Sequence, residues 1–378
     1  MIYLDCNATT PVDPRVFEAM MPYFSENFGN PASRHHSLGC DAAKAVERAR
    51  EQVASVIGAD PREIVWTSGA TESDNLALQG VAQSSAYKKK HLVTVVTEHL
   101  AVLDPCEILQ TRGFNVTYLG VGSDGCLDLN HLEKAITNQT LMVSVMHANN
   151  ETGVLQPIAE IGALCKDRAV FFHTDATQSF GKEPIDVNRM GIDLLSASAH
   201  KIHGPKGVGM LYLRRRNPRV RCEALLHGGG HEQGRRSGTL NVPGIVGMGV
   251  AATLPENDGI LALRDRLESE ICSRLTGVEV NGHRIQRLAN TTNLSFRGVD
   301  GETLMKRMPD IAVSSSSACT SAQMQPSYVL GAIGCSEERI KGSVRFSLGR
   351  FNTADEITMA AECVVKSVET LRAETPKR

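Results

Sequence analysis

SASAHKIHGPKGVGMLYL, residues 196–213, sets one lysine between two histidines and runs on into glycine, proline and a second lysine. Two apolar runs of strand length frame it, DLLSAS (193–198) and VGMLYL (208–213). Lys201 thus falls just after a short strand, in a loop too rich in glycine to be a helix. The same texture repeats upstream: IVWT (64–67), LVTVVT (92–97), NVTYL (115–119), LMVSVM (141–146) and VFFHT (170–174) are separated by helix-like segments. Short unbroken apolar runs alternating with helices are what a mostly parallel sheet requires, because helices cover both of its faces. Seven such runs predict an α/β fold with a mostly parallel seven-stranded sheet.

Outside this block the pattern changes. Val46, Ala49, Val53, Val56 and Ile57 recur at helical spacing and stop at Gly58, the mark of a packing helix. After about residue 256 come a helix with Leu263, Leu267 and Ile271 on one stripe, then short strands near TTNLSF (291–296) and SVRFSL (343–348). A last helix opens with Thr353 and Glu356 as a capping box and turns Ile357, Val364, Val368 and Leu371 inward. The predicted division is an N-terminal segment (1–15) joining a small α+β domain, a large domain (16–255) and the small C-terminal domain (256–378).

Forty Lys plus Arg against 42 Asp plus Glu give a net charge of -2, so no overall basic field calls for nucleic acid. The one charge run, RRRNPRVR (214–221), has no interleaved aromatics and reads as a solvated strand exit, so direct nucleic-acid binding is not expected. MIYLDCNATTPVDPR has no basic segment backed by an apolar run, and no stretch is long and apolar enough for a membrane span; the expected setting is the cytoplasm. Ten cysteines are scattered singly, so reduced thiols are expected. His227 and His231 bracket three glycines, which resist the helix that would place both on one metal, and no metal site is expected.

In open α/β sheets ligands bind beyond the carboxyl ends of the strands, and here those ends are polar. SGATESDN (68–75) is a small-residue turn into a helix, able to cradle a phosphate or simply to cap the helix. Other strands are followed by Glu98 and His99, by HANNETG (147–153), and by Asp175 and Gln178. With Lys201 the rim offers an amine for a Schiff base, an anion for a pyridine nitrogen, a phosphate pocket and a flat imidazole. Pyridoxal phosphate asks for that set. Lys206, in the same loop, lacks the flanking histidines and is the natural control. Cys319 lies among serines, alanine and threonine in VSSSSACTSAQMQPSY (313–328), where a thiol stays accessible, and is the nucleophile candidate. In SVRFSL, Arg345 points away from Val344 and Phe346. It suits a fork to a substrate carboxylate or a structural ion pair equally.

A linked series of motifs resembles the class V aminotransferase-like cysteine desulfurases, the nitrogenase-type and housekeeping iron–sulfur group. These are LDCNATTP (4–11), FGNPAS (28–33), WTSGATESDN (66–75), TEHLAVL (97–103), NNETG (149–153), HTDATQS (173–179), HKIHGPKG (200–207), GGGHEQGRRSGT (228–239), SACTSA (317–322) and RFSLGRF (345–351). The resemblance implies a type I pyridoxal phosphate fold, a homodimer, and removal of sulfur from L-cysteine to give L-alanine and a persulfide. By motif, Lys201 is the Schiff-base lysine, His99 stacks on the ring, Asp175 pairs with the pyridinium and Gln178 bonds the ring hydroxyl. Ala70, Thr71, Ser198 and His200 match phosphate-side positions, with Thr239 supplied by the neighbouring subunit. Asn150 and Arg345 match substrate-side positions, and Cys319 the persulfide carrier. The implied partner is a sulfur-acceptor protein serving iron–sulfur assembly, tRNA thiolation or DNA phosphorothioation. Three departures stand out: Ser316 stands where relatives have glycine and restricts the cysteine loop, Ala199 stands where they have glycine, and only AETPKR follows the last helix, which bears on the partner. A selenocysteine lyase, another enzyme of this fold and a non-catalytic sulfur-system scaffold are the alternative readings.

Overall fold

A computed structural model describes residues 1–256, 258–315 and 326–374. Cys319 and Ser316 lie outside the described residues. Seven strands form the large sheet: β1 (Ile64–Thr67), β2 (His91–Val95), β3 (Asn115–Leu119), β4 (Thr140–Ser144), β5 (Phe171–Asp175), β6 (Leu194–Ser198) and β7 (Gly209–Leu213). Their spatial order is β1-β7-β6-β5-β4-β2-β3, and β7 alone runs antiparallel to its neighbours. All but the edge strand β3 are almost wholly buried, because both faces of the sheet are covered. Val93, Val143, Phe172 and Leu195 enter one core cluster, while Leu92, Met142 and Leu194, one step along the same strands, enter the cluster on the other face. The helix predicted before β1 spans Ser37–Val56 and ends at Gly58, whose φ of +66° terminates it. It packs against the apolar helix Val242–Thr253.

A third core cluster gathers Leu267, Ile271, Leu294, Phe346, Ile357, Val364 and Val368 around a four-stranded antiparallel sheet. The strands are β8 (Val278–Val280), β9 (Thr291–Phe296), β10 (Ser314–Ser315) and β11 (Ser343–Ser347), in the order β10-β11-β9-β8. The closing helix, Ala354–Glu374, carries the expected capping box: Thr353 N–H donates to Glu356 at 3.0 Å and Glu356 N–H to the Thr353 hydroxyl at 3.3 Å. The N-terminus joins this unit, with Ile2–Tyr3 pairing in parallel with Ile311–Ala312 and Leu4 in its core. No helix among the described residues is long and apolar enough to cross a membrane.

Candidate active site

The parallel strands β1, β2, β4, β5 and β6 end on one rim, and a cleft of about 650 Å³ opens above it. Ala70, Thr71, His99, Asn150, Asp175, Gln178, Ser198, His200 and Lys201 all line this cleft. Thr239 is exposed and lies outside its lining. Arg345 lies one layer behind, joined to the cleft through Asn150.

Lys201 closes a single 3₁₀ turn, Ala199–Lys201, that β6 runs into directly, so the glycine-rich loop is tighter than expected at its start. Its ammonium donates to the carbonyls of Asn7 (2.5 Å) and Ala8 (2.9 Å). These carbonyls belong to the N-terminal segment, which two sets of bonds hold over the lysine. Asn7 N–H donates to Ser347 at 2.9 Å, and the Asn7 side-chain amide donates to Thr291 at 2.9 Å. Thr10 N–H donates to the His200 carbonyl, and His203 N–H to the Thr10 hydroxyl at 2.8 Å. The segment thus ties β11 to the lysine loop. Asn7, Ala8 and Thr9 line the cleft and were absent from the site read in the sequence; their only signal is the LDCNATTP motif. Lys206 also lines the cleft, from an exposed position.

His99 caps the helix Leu100–Thr111, its Nδ1 accepting from Ala101 N–H at 3.1 Å. That bond leaves the proton on Nε2. Burial lowers the His99 pKa, with Asp175 opposing and Lys201 reinforcing the shift. Asp175 ends β5 and accepts from Thr177 N–H at 2.8 Å. The Gln178 amide donates to the Asn7 carbonyl at 2.9 Å, while its buried Oε1 has no hydrogen-bond partner. His200 contacts the Thr9 hydroxyl at 3.1 Å, and burial, with Lys201 next, pushes its pKa down to about 4.

At the small-residue turn after β1, Glu72 accepts from Ser68 N–H at 2.7 Å and from Arg236 at 2.9 Å. Arg236 comes from the 228–239 loop, so this pair fastens that loop to the start of the helix Ala70–Asn75. Arg345 donates to Asp5 at 2.7 Å and to the Asn150 carbonyl at 2.9 Å. The structural ion pair weighed from the sequence is therefore present. The face of β11 away from the core is buried as well, because the N-terminal segment covers it.

A lysine, an acid, a histidine and a small-residue helix start at the carboxyl rim of a mixed seven-stranded sheet define a type I pyridoxal phosphate fold. The chain belongs to the class-V aminotransferase family, whose model matches residues 2–359. It is 52% identical over 381 residues to a relative named cysteine desulfurase IscS from Rickettsia prowazekii (strain Madrid E), covering 99% of this chain and 93% of that one. Among solved structures, one titled NifS-like protein superposes with a TM-score of 0.90 at 37% identity, covering 98% of this chain and 99% of the other. A second, titled SspA in complex with cysteine, gives 0.83 at 39% identity over 93% and 100%. The family's cofactor is pyridoxal 5'-phosphate. The residues fit it: the cleft has the volume of a cofactor site, and the orphaned Gln178 acceptor is one that a ring hydroxyl satisfies.

Proposed function

We propose that this chain is a cysteine desulfurase that moves sulfur from L-cysteine onto Cys319, leaving L-alanine, and hands it to an acceptor protein. The convergence of Lys201, Asp175, Gln178 and His99 on one cleft carries this reading. Ala70, Thr71, Ser198 and His200 would hold the cofactor's phosphate, Asp175 its ring nitrogen, Gln178 its hydroxyl and Lys201 its aldehyde carbon. When bound, pyridoxal phosphate withdraws electrons from the substrate's Cα and makes its proton labile.

The chain's own residues do the rest. Lys201, already held by two carbonyls, is positioned to take and return a proton at Cα. His99, with its proton on Nε2, would lie against the ring and could donate there. Asn150 and Arg345 receive the substrate carboxylate, Asp5 fixing the guanidinium in its plane. The cysteine C–S bond breaks and a bond to the Cys319 sulfur forms; L-cysteine and the thiol become L-alanine and Cys319–S–SH, with no outside oxidant. The proposed setting is the cytoplasm and the proposed assembly a homodimer, Thr239 of one copy completing the phosphate site of the other. The proposed organisation is a large cofactor domain (16–255) with a small domain (256–378) that the N-terminal segment joins.

The test is the stoichiometry of product and persulfide. Purified protein given L-cysteine is expected to form alanine and to carry one added sulfur on the Cys319 peptide by mass spectrometry. Cys319→Ser is expected to keep the yellow colour and lose both. Alanine formed by the serine variant at the parent rate would remove Cys319 from the reaction.

A further inference from the structure

Asp74 is fully buried, one residue before the end of the helix Ala70–Asn75, and it lines the cleft. Neither carboxyl oxygen accepts an N–H, and the Ser196 hydroxyl acts on the carboxyl as a donor. The nearest base is His173, whose Nε2 lies 3.5 Å from Asp74 Oδ1. That ring is itself fully buried and already engaged, Nδ1 with the Ser144 hydroxyl at 2.8 Å and Nε2 with the Ser196 hydroxyl at 3.1 Å. Burial pushes its pKa down to about 3, so it supplies no positive charge. Two more carboxyls face the same space, Asp175 and the fully buried Glu98.

Three carboxyls buried this close together do not all stay ionised, even with Lys201 and Lys206 lining the same cleft. Their hydrogen bonds rank them. Asp175 accepts from Thr177 N–H at 2.8 Å and Glu98 from Met146 N–H at 2.6 Å, whereas Asp74 accepts from no N–H, the Ser196 hydroxyl being the donor that acts on it. An N–H donor stabilises the charged form, so Asp74 is the first of the three to hold a proton.

We propose that Asp74 is a positioning residue carried as a neutral acid, so that the floor of the cleft presents its negative charge at Asp175. A second charge there would repel that of Asp175, the anion that would face a pyridinium. The proposal rests on the reading of Asp175 as the partner of the ring nitrogen. Burial raises the Asp74 pKa first, with Asp175 and Glu98 adding to the shift and the Ser196 hydroxyl opposing it, and the net direction agrees with the geometry.

Infrared difference spectroscopy of the holoenzyme at neutral pH, wild type minus Asp74→Asn, tests this directly. The expected difference is the carbonyl stretch of a protonated carboxyl; a carboxylate band in its place overturns the proposal. Aspartate labelled with carbon-13 at its side-chain carboxyl gives the same readout as an isotope shift in the unmodified chain, should the variant not fold. A stability measurement adds an independent arm. A carboxyl neutral only in the fold makes wild type lose stability as pH rises above its unfolded value of about 4. The melting temperature of Asp74→Asn relative to wild type is therefore expected to climb from pH 5 to pH 8. A flat or falling difference contradicts a neutral Asp74. The underlying reading fails separately: Asp175→Asn is expected to weaken cofactor binding at least about tenfold, the size of one charge-assisted hydrogen bond. Unchanged binding there would dismiss Asp175 while leaving the infrared result intact.

Discussion

Gly209 opens β7 against the turn that begins the phosphate-side helix. A Cβ added there would sit 2.7 Å from the Ala197 carbonyl oxygen and 2.7 Å from both Cα and C of Gly69. All three are backbone atoms, so no rotamer relieves the clash. Ordinary contact begins at 3.4 Å, so Gly209→Ala must displace β6 or the Gly69 turn by roughly 0.7 Å, a strain of about 1–3 kcal/mol. β6 is paired on both sides, whereas Gly69 lies in a turn that precedes a helix, so the turn is the element that gives. The Ala70 and Thr71 amides move with it. For a chain of this length the strain lowers the melting temperature by about 1–4 °C. Misplaced phosphate donors are expected to weaken pyridoxal phosphate binding by about tenfold or more. Titration of apoprotein with the cofactor, followed by absorbance, measures it. Gly331→Ala, in a short helix with nothing within 4 Å of the new methyl, is the control and should leave binding unchanged. Equal binding by Gly209→Ala and the control would refute the link between β7 and the phosphate turn.

Three further outcomes are expected. Glu232 accepts from both terminal nitrogens of Arg50 at 2.8 Å and from Trp66 N–H at 2.9 Å, so Glu232→Gln leaves a buried guanidinium short of charge. It should cost about 3 kcal/mol in chemical denaturation, against less than about 1 for Glu47→Gln, whose own carboxylate is exposed. Burial raises the Glu151 carboxyl to about 7, so wild type loses stability as pH rises through neutrality. Glu151→Gln, which keeps an acceptor for Ser327, should stabilise the protein at pH 8 more than at pH 5. Arg15, then Arg350, hold the Asp13 carboxyl well below its usual range. Its contribution is present above an unfolded value of about 4 and fades in more acid solution. The deficit of Asp13→Asn should be constant from pH 8 to pH 5 and shrink only below about pH 4.

The sheet was legible because most of its strands are covered on both sides, which writes them as predominantly apolar runs; all seven runs became strands, the partly exposed edge strand β3 included. The capping box at Thr353 and Glu356 was legible because it is local. What escaped was made by contacts between distant residues. Nothing near Lys201 in sequence announces that its amine meets the carbonyls of Asn7 and Ala8, or that Arg345 pairs with Asp5. Alternation assigned Val344 and Phe346 to the core correctly, yet could not reveal that the opposite face is buried too. β10 has two residues and β8 three, too short for any period to register. Asp74 looked like any polar residue on a short helix, since neither periodicity nor motif reports whether a carboxyl finds a donor.

Borohydride reduction of the yellow protein followed by peptide mapping tests the central assignment most directly. The account predicts a phosphopyridoxyl group on the nitrogen of Lys201 and loss of the chromophore in Lys201→Ala. A label on Lys206, which lines the same cleft, or no label on any lysine, would contradict it.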